Sequence, residues 1–330
     1  MRQGVEGSLQ ESRHESDAVN GGFRMTRPNS PRFVIITAAF NEAGQIEQTI
    51  RSVVSQTRLP VCWVIVDDGS TDQTQAKIAA QQSVSPWIVS HRRHRQPGQA
   101  YFASNVYAIM EGAAQVRHLE YDYLAVLDAD ITLPADYYEQ IFARFAADAK
   151  LGVASGVYEN LVDGSLRKVI NDRRSTPKAI QVFRRACFER IGGYVPLKHG
   201  GEDTCACIMA RMHGWKTWSF PELKVVHRRP TGVGNARNVL RARFVQGLAD
   251  YGLSTHPLFM LGKSLKRGVF ESPRILGGML RLAGYLYGHI TRDSLMVPPE
   301  VARYARQEQI RRVFHINRIP QKDRVGSEVK

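Results

Sequence analysis

The sequence predicts an α/β fold in which a mostly parallel sheet is flanked by helices. Three short runs of apolar, β-favouring residues support this: Phe33 to Ala39, Val61 to Val66 and Leu124 to Leu127. Runs that are apolar at consecutive positions are typical of strands buried on both faces of a parallel sheet. A carboxylate follows each run within a few residues, at the edge of the sheet where α/β proteins bind ligands.

The rest of the chain up to residue 229 alternates between helical and extended patterns, as right-handed crossovers in a parallel sheet require. The spacing of apolar residues predicts helices over 42–54, 72–80, 105–116, 137–147 and 178–191, and further strands over 86–90, 153–158 and 218–226. Gly192 and Gly193 favour the left-handed turn that ends a helix. Another helix is predicted to begin at Glu202, after Gly200 and Gly201.

Composition divides the 330 residues into three parts. Residues 1–31 are polar and lack a hydrophobic period, so they are predicted to be a disordered tail. Residues 32–230 form the predicted α/β domain. Residues 231–330 hold 17 Lys or Arg against 7 Asp or Glu, and therefore carry +10 of the formal net charge of +14. Such a basic extension indicates an anionic partner: a membrane surface, a nucleic acid or a phosphorylated substrate.

The sequence shows neither a secretory signal peptide nor a run of ~18 apolar residues that could span a membrane. The four cysteines lack the spacing of a zinc site, and Cys62 and Cys187 lie in apolar patterns that predict small core residues. These features are expected of a cytoplasmic protein that can still lie on a membrane surface.

Asp128 and Asp130 follow the third apolar run and are separated by one small residue. Carboxylates at a strand end can reach one divalent cation and the phosphates that it carries, and hard oxygen ligands suit Mg²⁺ or Mn²⁺. The triplet alone is a weak signal, because about one is expected by chance at ordinary Asp usage. Its position at the end of a strand is what indicates a site.

Two other charged segments have both an ordinary explanation and a functional one. Glu202 and Asp203 open a predicted helix, and acidic side chains stabilise helix N-termini by ~0.3–1 kcal/mol whatever the function. The basic segment His91 to Arg95 reads as a solvated loop, but it precedes a helix start, where anions bind. A phosphate contact is therefore a second hypothesis for this loop.

Five motifs between residues 33 and 229 occur in a recognisable order. They are Thr37-Ala38-Ala39-Phe40-Asn41-Glu42, Val66-Asp67-Asp68-Gly69-Ser70-Thr71-Asp72, Asp128-Ala129-Asp130, the segment from Phe183 to Gly193, and Gly201-Glu202-Asp203. With these motifs the chain resembles an inverting member of glycosyltransferase family 2, of the type found in bacterial polysaccharide biosynthesis. Each motif is weak alone, and the resemblance rests on their common order.

The resemblance implies the GT-A fold, a Rossmann-like, mostly parallel sheet, here with a helical, basic C-terminal extension. It implies transfer of a sugar from a nucleoside diphosphate, with UDP as the expected nucleotide, to an acceptor hydroxyl. Ala39, Asn41 and Glu42 would border the nucleoside. Asp67 and Asp68 would hold the base and ribose, because carboxylates accept hydrogen bonds from uracil N–H groups and sugar hydroxyls.

The same resemblance assigns the reacting groups. Asp128 would hold the sugar or ribose, and Asp130 would bind Mn²⁺ or Mg²⁺, which offsets the charge of the departing diphosphate. His227 matches a position where GT-A enzymes supply a further metal ligand, although a lone histidine is as often structural. Inversion in one displacement needs a single general base opposite the leaving group. By family position that base is Asp203, with Glu202 orienting the acceptor.

The extension shows helical patterns over 238–251, 257–270 and 274–290, in which apolar residues are flanked by Lys and Arg. Apolar surface with flanking cations is typical of a helix that lies on anionic lipid, and a lipid-linked acceptor would explain it. A pair of core helices covering one end of the sheet would show the same pattern. The segment Gln309 to Val313 resembles the Gln-x-x-Arg-Trp signature of processive synthases, but has valine at the last position, so processivity is not predicted.

The favoured function is an inverting, metal-dependent glycosyltransferase on the inner face of the cell membrane. Its acceptor would be lipid-linked or a saccharide, in polysaccharide, exopolysaccharide or glycolipid synthesis. A catalytically silent GT-A scaffold is opposed by the intact acids Asp128, Asp130 and Asp203. A nucleic-acid-binding protein would interleave aromatic with basic residues, whereas these basic residues alternate with aliphatic ones, so nucleic acid is not an expected partner.

Overall fold

The computed structural model describes residues 31–95, 98, 100–169, 172–229, 239–295 and 297–314. Within these ranges the strands are β1 (Phe33–Ala39), β2 (Cys62–Asp67), β3 (Ile88–Arg92), β4 (Tyr123–Val126), β5 (Ile131–Thr132), β6 (Leu151–Val162), β7 (Ser165–Lys168), β8 (Val182–Arg184) and β9 (Lys216–His227). The helices are α1 (Ile46–Val54), α2 (Thr74–Val84), α3 (Tyr101–Gln115), α4 (Tyr137–Ala147), α5 (Arg185–Ile191), α6 (Glu202–Met212), α7 (Val239–Gly252), α8 (Pro257–Phe270), α9 (Leu276–Thr291) and α10 (Pro299–Val313). The predicted disordered tail, except its last residue, lies outside the described residues.

These strands form one sheet in the order β3-β2-β1-β4-β8-β6-β9-β5, with β7 paired to β6. The first four strands are parallel, as predicted. Beyond β4 the sheet is mixed, because β8 runs antiparallel to both β4 and β6 while β6 and β9 are parallel to each other. The predicted α/β architecture with flanking helices is therefore confirmed.

Strand β1 shows why the sheet is buried on both faces. Phe33 and Ile35 point into one core cluster, whereas Val34 and Ile36 point into a second cluster on the opposite face. All four side chains are buried. A strand whose consecutive residues are apolar can only be stable with helices on both sides, which is the arrangement that holds the strand ends in place.

The prediction of one helix over 178–191 is wrong. Lys178–Ile180 is a single 3₁₀ turn, Val182–Arg184 is strand β8, and only Arg185–Ile191 is α-helical. The extended piece fills the gap between β4 and β6, where the backbone N–H of Val126 donates to the Gln181 carbonyl at 2.7 Å. Unpaired edges of β4 and β6 in the core would leave buried backbone groups without partners, so sheet pairing overrides the helical spacing of the side chains.

The helices predicted in the extension are confirmed as α7, α8 and α9, and α10 follows them. A small apolar cluster joins α10 to α6 through Val301, Ala305, Cys205 and Ile208. Cys62 and Cys187, the predicted core cysteines, are buried and free. Among the described residues, no helix combines the length and the apolar character needed to cross a membrane.

Candidate active site

The predicted acids meet at the carboxyl ends of β1, β2 and β4. The parallel register places Ala39 of β1 beside Asp67 of β2. On the other side of β1, Ile36 pairs with Val126, two residues before Asp128. Neighbouring parallel strands end at the same edge of a sheet, so residues that are far apart in the chain face one cleft.

The loops that follow β1 and β2 are tied to each other. Asn41 adopts a positive φ of 56°, which asparagine tolerates better than most residues. Its backbone N–H donates to Ser70 Oγ at 3.0 Å, and its side-chain Oδ1 accepts from the backbone N–H of Thr71 at 2.9 Å. The backbone N–H of Glu42 donates to Thr74 Oγ1 at 2.8 Å. These bonds fix the rim of the cleft where the nucleoside was predicted to lie.

Asp67 and Asp68 have different surroundings although both are buried. Asp67 Oδ1 accepts from the backbone N–H of Ser70 at 2.9 Å, and its Oδ2 is buried without a hydrogen-bond partner among the described residues. Asp68 accepts from Ser104 Oγ at 2.6 Å and pairs with the guanidinium of Arg93. Asp67 therefore keeps an acceptor for a ligand, whereas the geometry of Asp68 is that of a structural ion pair.

The basic loop that was a candidate phosphate contact is engaged with this part of the sheet. Arg93 pairs with Asp68, and Arg92 donates from Nη2 to the carbonyl of Ser70 at 3.2 Å. The Nε atom of Arg92 lies 3.6 Å from Asp67 Oδ2. These contacts give the two arginines a role in holding the β2 loop, and the phosphate contact stays a prediction.

Asp130 lies between two cationic or potentially cationic groups. Its Oδ1 is 3.3 Å from His227 Nε2, and its Oδ2 accepts from Arg229 Nε at 2.9 Å. Burial raises the pKa of Asp130, but the hydrogen bonds and charges of His227 and Arg229 outweigh it and leave the pKa below its usual value. Asn160 Oδ1 lies 3.1 Å from the other ring nitrogen of His227, Nδ1, and orients the imidazole.

Arg229 also pairs with Glu42, so it connects the loop after β1 to the end of β9. Burial raises the pKa of Glu42 to about 7, although Arg229 opposes the shift. The arginine therefore holds two acids from different strands in one cluster. Sequence reasoning placed Arg229 only at the end of a strand; its partners are 99 and 187 residues away, and no local pattern indicates them.

Lys178 is a second residue that sequence reasoning missed. Its Nζ donates to Asp128 Oδ1 at 3.0 Å and to Asn105 Oδ1 at 2.8 Å. Burial lowers the pKa of Lys178, but the charges of Asp128 and Glu202 outweigh it and raise the pKa above its usual value. Asp128 therefore faces an ammonium group. Its predicted neighbour Asp130 instead faces His227, and the two carboxylates have separate partners.

Glu202 and Asp203 lie in the first turn of α6, directly after Gly201, whose φ of 96° requires glycine. Asp203 Oδ1 accepts from the backbone N–H of Thr204 at 2.6 Å, and its Oδ2 from the backbone N–H of Lys178 at 3.4 Å. Burial raises the pKa of Asp203, and raises that of Glu202 to about 7. Glu202 Oε2 is buried without a partner among the described residues.

Two groups of contacts connect the predicted residues: Arg229 joins Glu42 to Asp130, and Lys178 joins Asp128 to the start of α6. Within the described ranges, no three His, Cys, Asp or Glu side chains are grouped so that they could hold a metal ion. The pair Asp130 and His227 offers an oxygen and a nitrogen on the same side. The resulting site is a carboxylate-rich cleft with one fixed ammonium group, Lys178, between Asp128 and the start of α6.

The chain belongs to glycosyltransferase family 2. The family model described as "Glycosyl transferase family 2" matches residues 34–213, more than half of the chain. The match confirms the family predicted from the motifs and, with it, the enzyme class of glycosyltransferase. It also covers every motif on which the resemblance was based and leaves out the helices from α7 onwards.

Among curated proteins, the succinoglycan biosynthesis protein ExoO of Rhizobium meliloti (strain 1021) is 33% identical over 138 residues. These residues make up 42% of this chain and 36% of that protein, so the chain matches about a third of the relative's length.

Two solved structures share the fold of this chain. The mannosyltransferase PcManGT from Pyrobaculum calidifontis, in complex with GDP-Man and Mn²⁺, aligns with 87% of this chain and 81% of its own at 17% identity and a TM-score of 0.52. S. aureus TarS 1-349 in complex with UDP-GlcNAc aligns with 85% and 81% of the two chains at 16% identity and a TM-score of 0.51. Likenesses at these identities concern the fold alone, and they confirm the predicted GT-A fold.

Proposed function

We propose that the chain is an inverting, metal-dependent glycosyltransferase that moves a sugar from a nucleoside-diphosphate sugar to a hydroxyl of a lipid-linked saccharide. The observation that carries the proposal is the cleft at the ends of β1, β2 and β4. Two buried oxygens, Asp67 Oδ2 at the end of β2 and Glu202 Oε2 at the start of α6, lack hydrogen-bond partners among the described residues. Buried acceptors are normally satisfied, so these two imply ligand groups that donate hydrogen bonds.

The donor nucleotide occupies the β1 and β2 side of the cleft in this proposal. Asp67 Oδ2 accepts from an N–H of the base or from a ribose hydroxyl, and Ala39, Asn41 and Glu42 border the nucleoside. Asp128 takes the ribose or the sugar, held in place by Lys178 at 3.0 Å. PcManGT was solved with GDP-Man and TarS with UDP-GlcNAc. We propose UDP as the nucleotide of the donor, with GDP as the alternative.

Asp130 and His227 would hold the divalent cation. Asp130 Oδ1 and His227 Nε2 lie 3.3 Å apart, and Asn160 Oδ1 lies 3.1 Å from the other ring nitrogen. Carboxylate oxygens and imidazole nitrogens are both ligands of divalent transition-metal ions in proteins. Oxygen ligands suit Mn²⁺ and Mg²⁺, and an imidazole nitrogen favours Mn²⁺, the softer of the two. The cation would offset the negative charge that builds up on the departing diphosphate.

Asp203 acts as the general base. A base that takes a proton from a hydroxyl works best when its pKa lies near the working pH, and burial raises the pKa of Asp203. The backbone N–H groups of Thr204 and Lys178 hold its carboxylate at the start of α6. Glu202 Oε2 accepts from a second hydroxyl and so orients the acceptor. A single base and no covalent intermediate lead to inversion at the sugar.

Calorimetric titration of UDP, GDP and dTDP, each with and without Mn²⁺, tests the donor site. Wild type should bind one nucleotide in a metal-dependent way, and Asp130→Ala should lose that dependence. Asp136→Ala is the matched control, because it removes the same charge from an exposed residue that precedes α4 and lies outside the cleft. If wild type bound no nucleotide under any condition, the proposed sugar transfer would be refuted, and a catalytically silent scaffold of the same fold would remain.

The acceptor is proposed to be lipid-linked because helices α8 and α9 expose an apolar face. Leu258, Leu261, Leu265 and Val269 of α8, and Met279, Leu286 and Ile290 of α9, are each half or more exposed. Their spacing puts them on one side of each helix. The exposed cations Lys266, Arg274 and Arg292 flank this face, as expected for a helix pair that rests on anionic lipid.

The role in polysaccharide synthesis draws on the relative ExoO, whose name places it in succinoglycan biosynthesis. Co-sedimentation with vesicles of phosphatidylglycerol tests the membrane face. Leu265→Glu should reduce the bound fraction severalfold, whereas Leu166→Glu, which changes an exposed leucine of β7, should leave it unchanged. Equal binding of both variants and wild type would mean that the face does not contact lipid.

A further inference from the structure

A cavity of about 410 Å³ lies between helices α7 to α9 and the candidate active site. Gly201 and Thr204, which flank the acidic pair at the start of α6, line one side. Asn160, the partner of His227, lines the same side. The cavity therefore opens beside the residues proposed to bind the acceptor, and nothing in the donor site described above uses it.

The described lining of this cavity is strongly basic. Its cationic residues are Lys168, Arg243, Lys263, Arg267 and Arg281, and its acidic residues are Asp250 and Glu271. Lys168 is exposed, whereas the other four cations are buried or half-buried and exceed the two acids by two. Such a surplus is unusual, because burying a charge without a partner is costly.

Each acid is shared between two cations. Asp250 accepts from Lys263 Nζ at 2.6 Å and from Arg281 Nε at 2.7 Å. Glu271 pairs with Arg267, and its Oε2 lies 3.2 Å from Arg243 Nη1. No further carboxylate lines the described part of the cavity to balance the cations.

Arg243 and Arg267 show the effect of this crowding. The Nε atom of Arg243 is buried and has no hydrogen-bond partner among the described residues. Burial and the charge of Arg281 together lower the pKa of Arg267 to about 10, although Asp250 opposes the shift. The pKa of Arg243 is also lowered, by burial and by Arg281. An anion in the cavity would relieve both effects.

We infer that this cavity binds the diphosphate group of the lipid-linked acceptor. Guanidinium groups donate hydrogen bonds to phosphate oxygens. The Nη atoms of Arg243 already donate to Gln246 Oε1 and the Ser272 carbonyl, so its buried Nε, without a partner among the described residues, is the donor left for a phosphate oxygen. Phe270, at the end of the apolar face of α8, also lines the cavity and is 67% exposed, so a lipid chain on the diphosphate can leave toward that face. The inference rests on the proposed function and adds the group by which the acceptor is recognised.

Titration of farnesyl diphosphate in neutral detergent micelles tests the inference, with EDTA present so that the donor site holds no metal. Arg267→Gln should weaken binding about tenfold, the effect of one charge-assisted hydrogen bond. Arg190→Gln removes the same charge from an exposed position of α5, outside the cavity lining, and should have no effect. Arg243→Gln is the second variant if Arg267→Gln melts at a lower temperature than wild type.

Equal affinity of Arg267→Gln and Arg190→Gln would overturn the inference. So would phosphatidylglycerol bicelles without diphosphate, if they bound with the same dependence on Arg267, because the ligand would then be a membrane headgroup. Titration of nucleotide with Mn²⁺ in the same variants separates the two proposals. If wild type binds farnesyl diphosphate but no nucleotide, the proposed function fails while the anion site remains.

Discussion

The sheet domain and the helices α7 to α9 distribute polarity in opposite ways. In the sheet domain apolar residues such as Ile35 are buried and the acids gather at one edge of the strands. In the helices, the charged pair Asp250 and Arg281 is buried, whereas Leu265 and Ile290 are 71% and 80% exposed. Burial of charge with exposure of leucine is the arrangement expected where one side of a helix group meets an apolar environment. Large aliphatic side chains therefore form the buried core in the sheet domain, whereas in the helices several of them form an exposed surface.

The two regions also differ in the size of the side chains at their packing contacts. Helix α9 meets its neighbours through glycines, and a Cβ atom at Gly284 would lie 2.0 Å from the carbonyl oxygen of Phe244. Close approach through small residues is typical of helices that cannot rely on apolar side chains to hold them together. The sheet domain instead packs large side chains such as Phe33, Trp63 and Phe145.

The largest effects are expected when one buried aspartate is changed to asparagine in the sheet domain and another in helices α7 to α9. Asp203→Asn should lower kcat about 10³-fold, because the general base is lost, while the melting temperature stays close to that of wild type. Asp250→Asn should instead destabilise the fold by about 3–5 kcal/mol, because Lys263 and Arg281 would be left buried with one fewer charge partner. Turnover assays measure the loss of kcat, and thermal melts measure the loss of stability, in both variants. An Asp203→Asn variant with the kcat of wild type would show that the two buried acids do not differ in catalytic role.

The next effect concerns pH and sharpens the comparison between buried acids. The pKa of Glu202 is raised to about 7 by burial, whereas that of Asp250 is lowered to about 2, since Arg281 and Lys263 outweigh burial. A raised pKa stabilises the fold below the unfolded value of 4.5 and this contribution is lost as pH rises through 7. Glu202→Gln should therefore gain stability relative to wild type between pH 5 and pH 8, by about 1–3 kcal/mol.

Urea unfolding of wild type and Glu202→Gln at several pH values measures that difference. Asp250 has the opposite sign: its contribution is present above the unfolded pKa and lost only as pH falls toward 2. If the difference in free energy of unfolding between wild type and Glu202→Gln stayed constant from pH 5 to pH 8, Glu202 would be ionised throughout this range.

The central part of the fold was predictable because local patterns dictate it, whereas the roles of the site residues stay a prediction. Apolar runs such as that of β1 can only be buried strands, and the acids that follow them must meet at one edge of the sheet. The partners of these acids were not predictable. Lys178 reaches Asp128 across 50 residues and Arg229 reaches Glu42 across 187, and such pairs depend on the finished sheet.

One further prediction was wrong for the same reason. The segment 178–191 has helical spacing, but Val182–Arg184 pairs with β4 and β6 and joins the sheet. The pattern of the extension left a surface helix pair and a core helix pair open, since periodicity shows that a helix has two faces but not which face is covered. Residues such as Leu265 are exposed, and contact of these helices with lipid stays a prediction.

The smallest expected effect tests whether glycine contacts hold the helices of the extension together. Gly284→Ala in α9 should destabilise the protein by about 1–2 kcal/mol, because overpacking against the backbone of Phe244 exceeds the gain in helix propensity. Gly262→Ala in α8 is the matched control. Among the described residues, no atom outside its own stretch of helix would lie within 4 Å of a Cβ at this position, so the same change should stabilise by up to ~1 kcal/mol. Opposite shifts in melting temperature are expected. Shifts of the same sign would mean that α9 does not rest on its neighbours through Gly284.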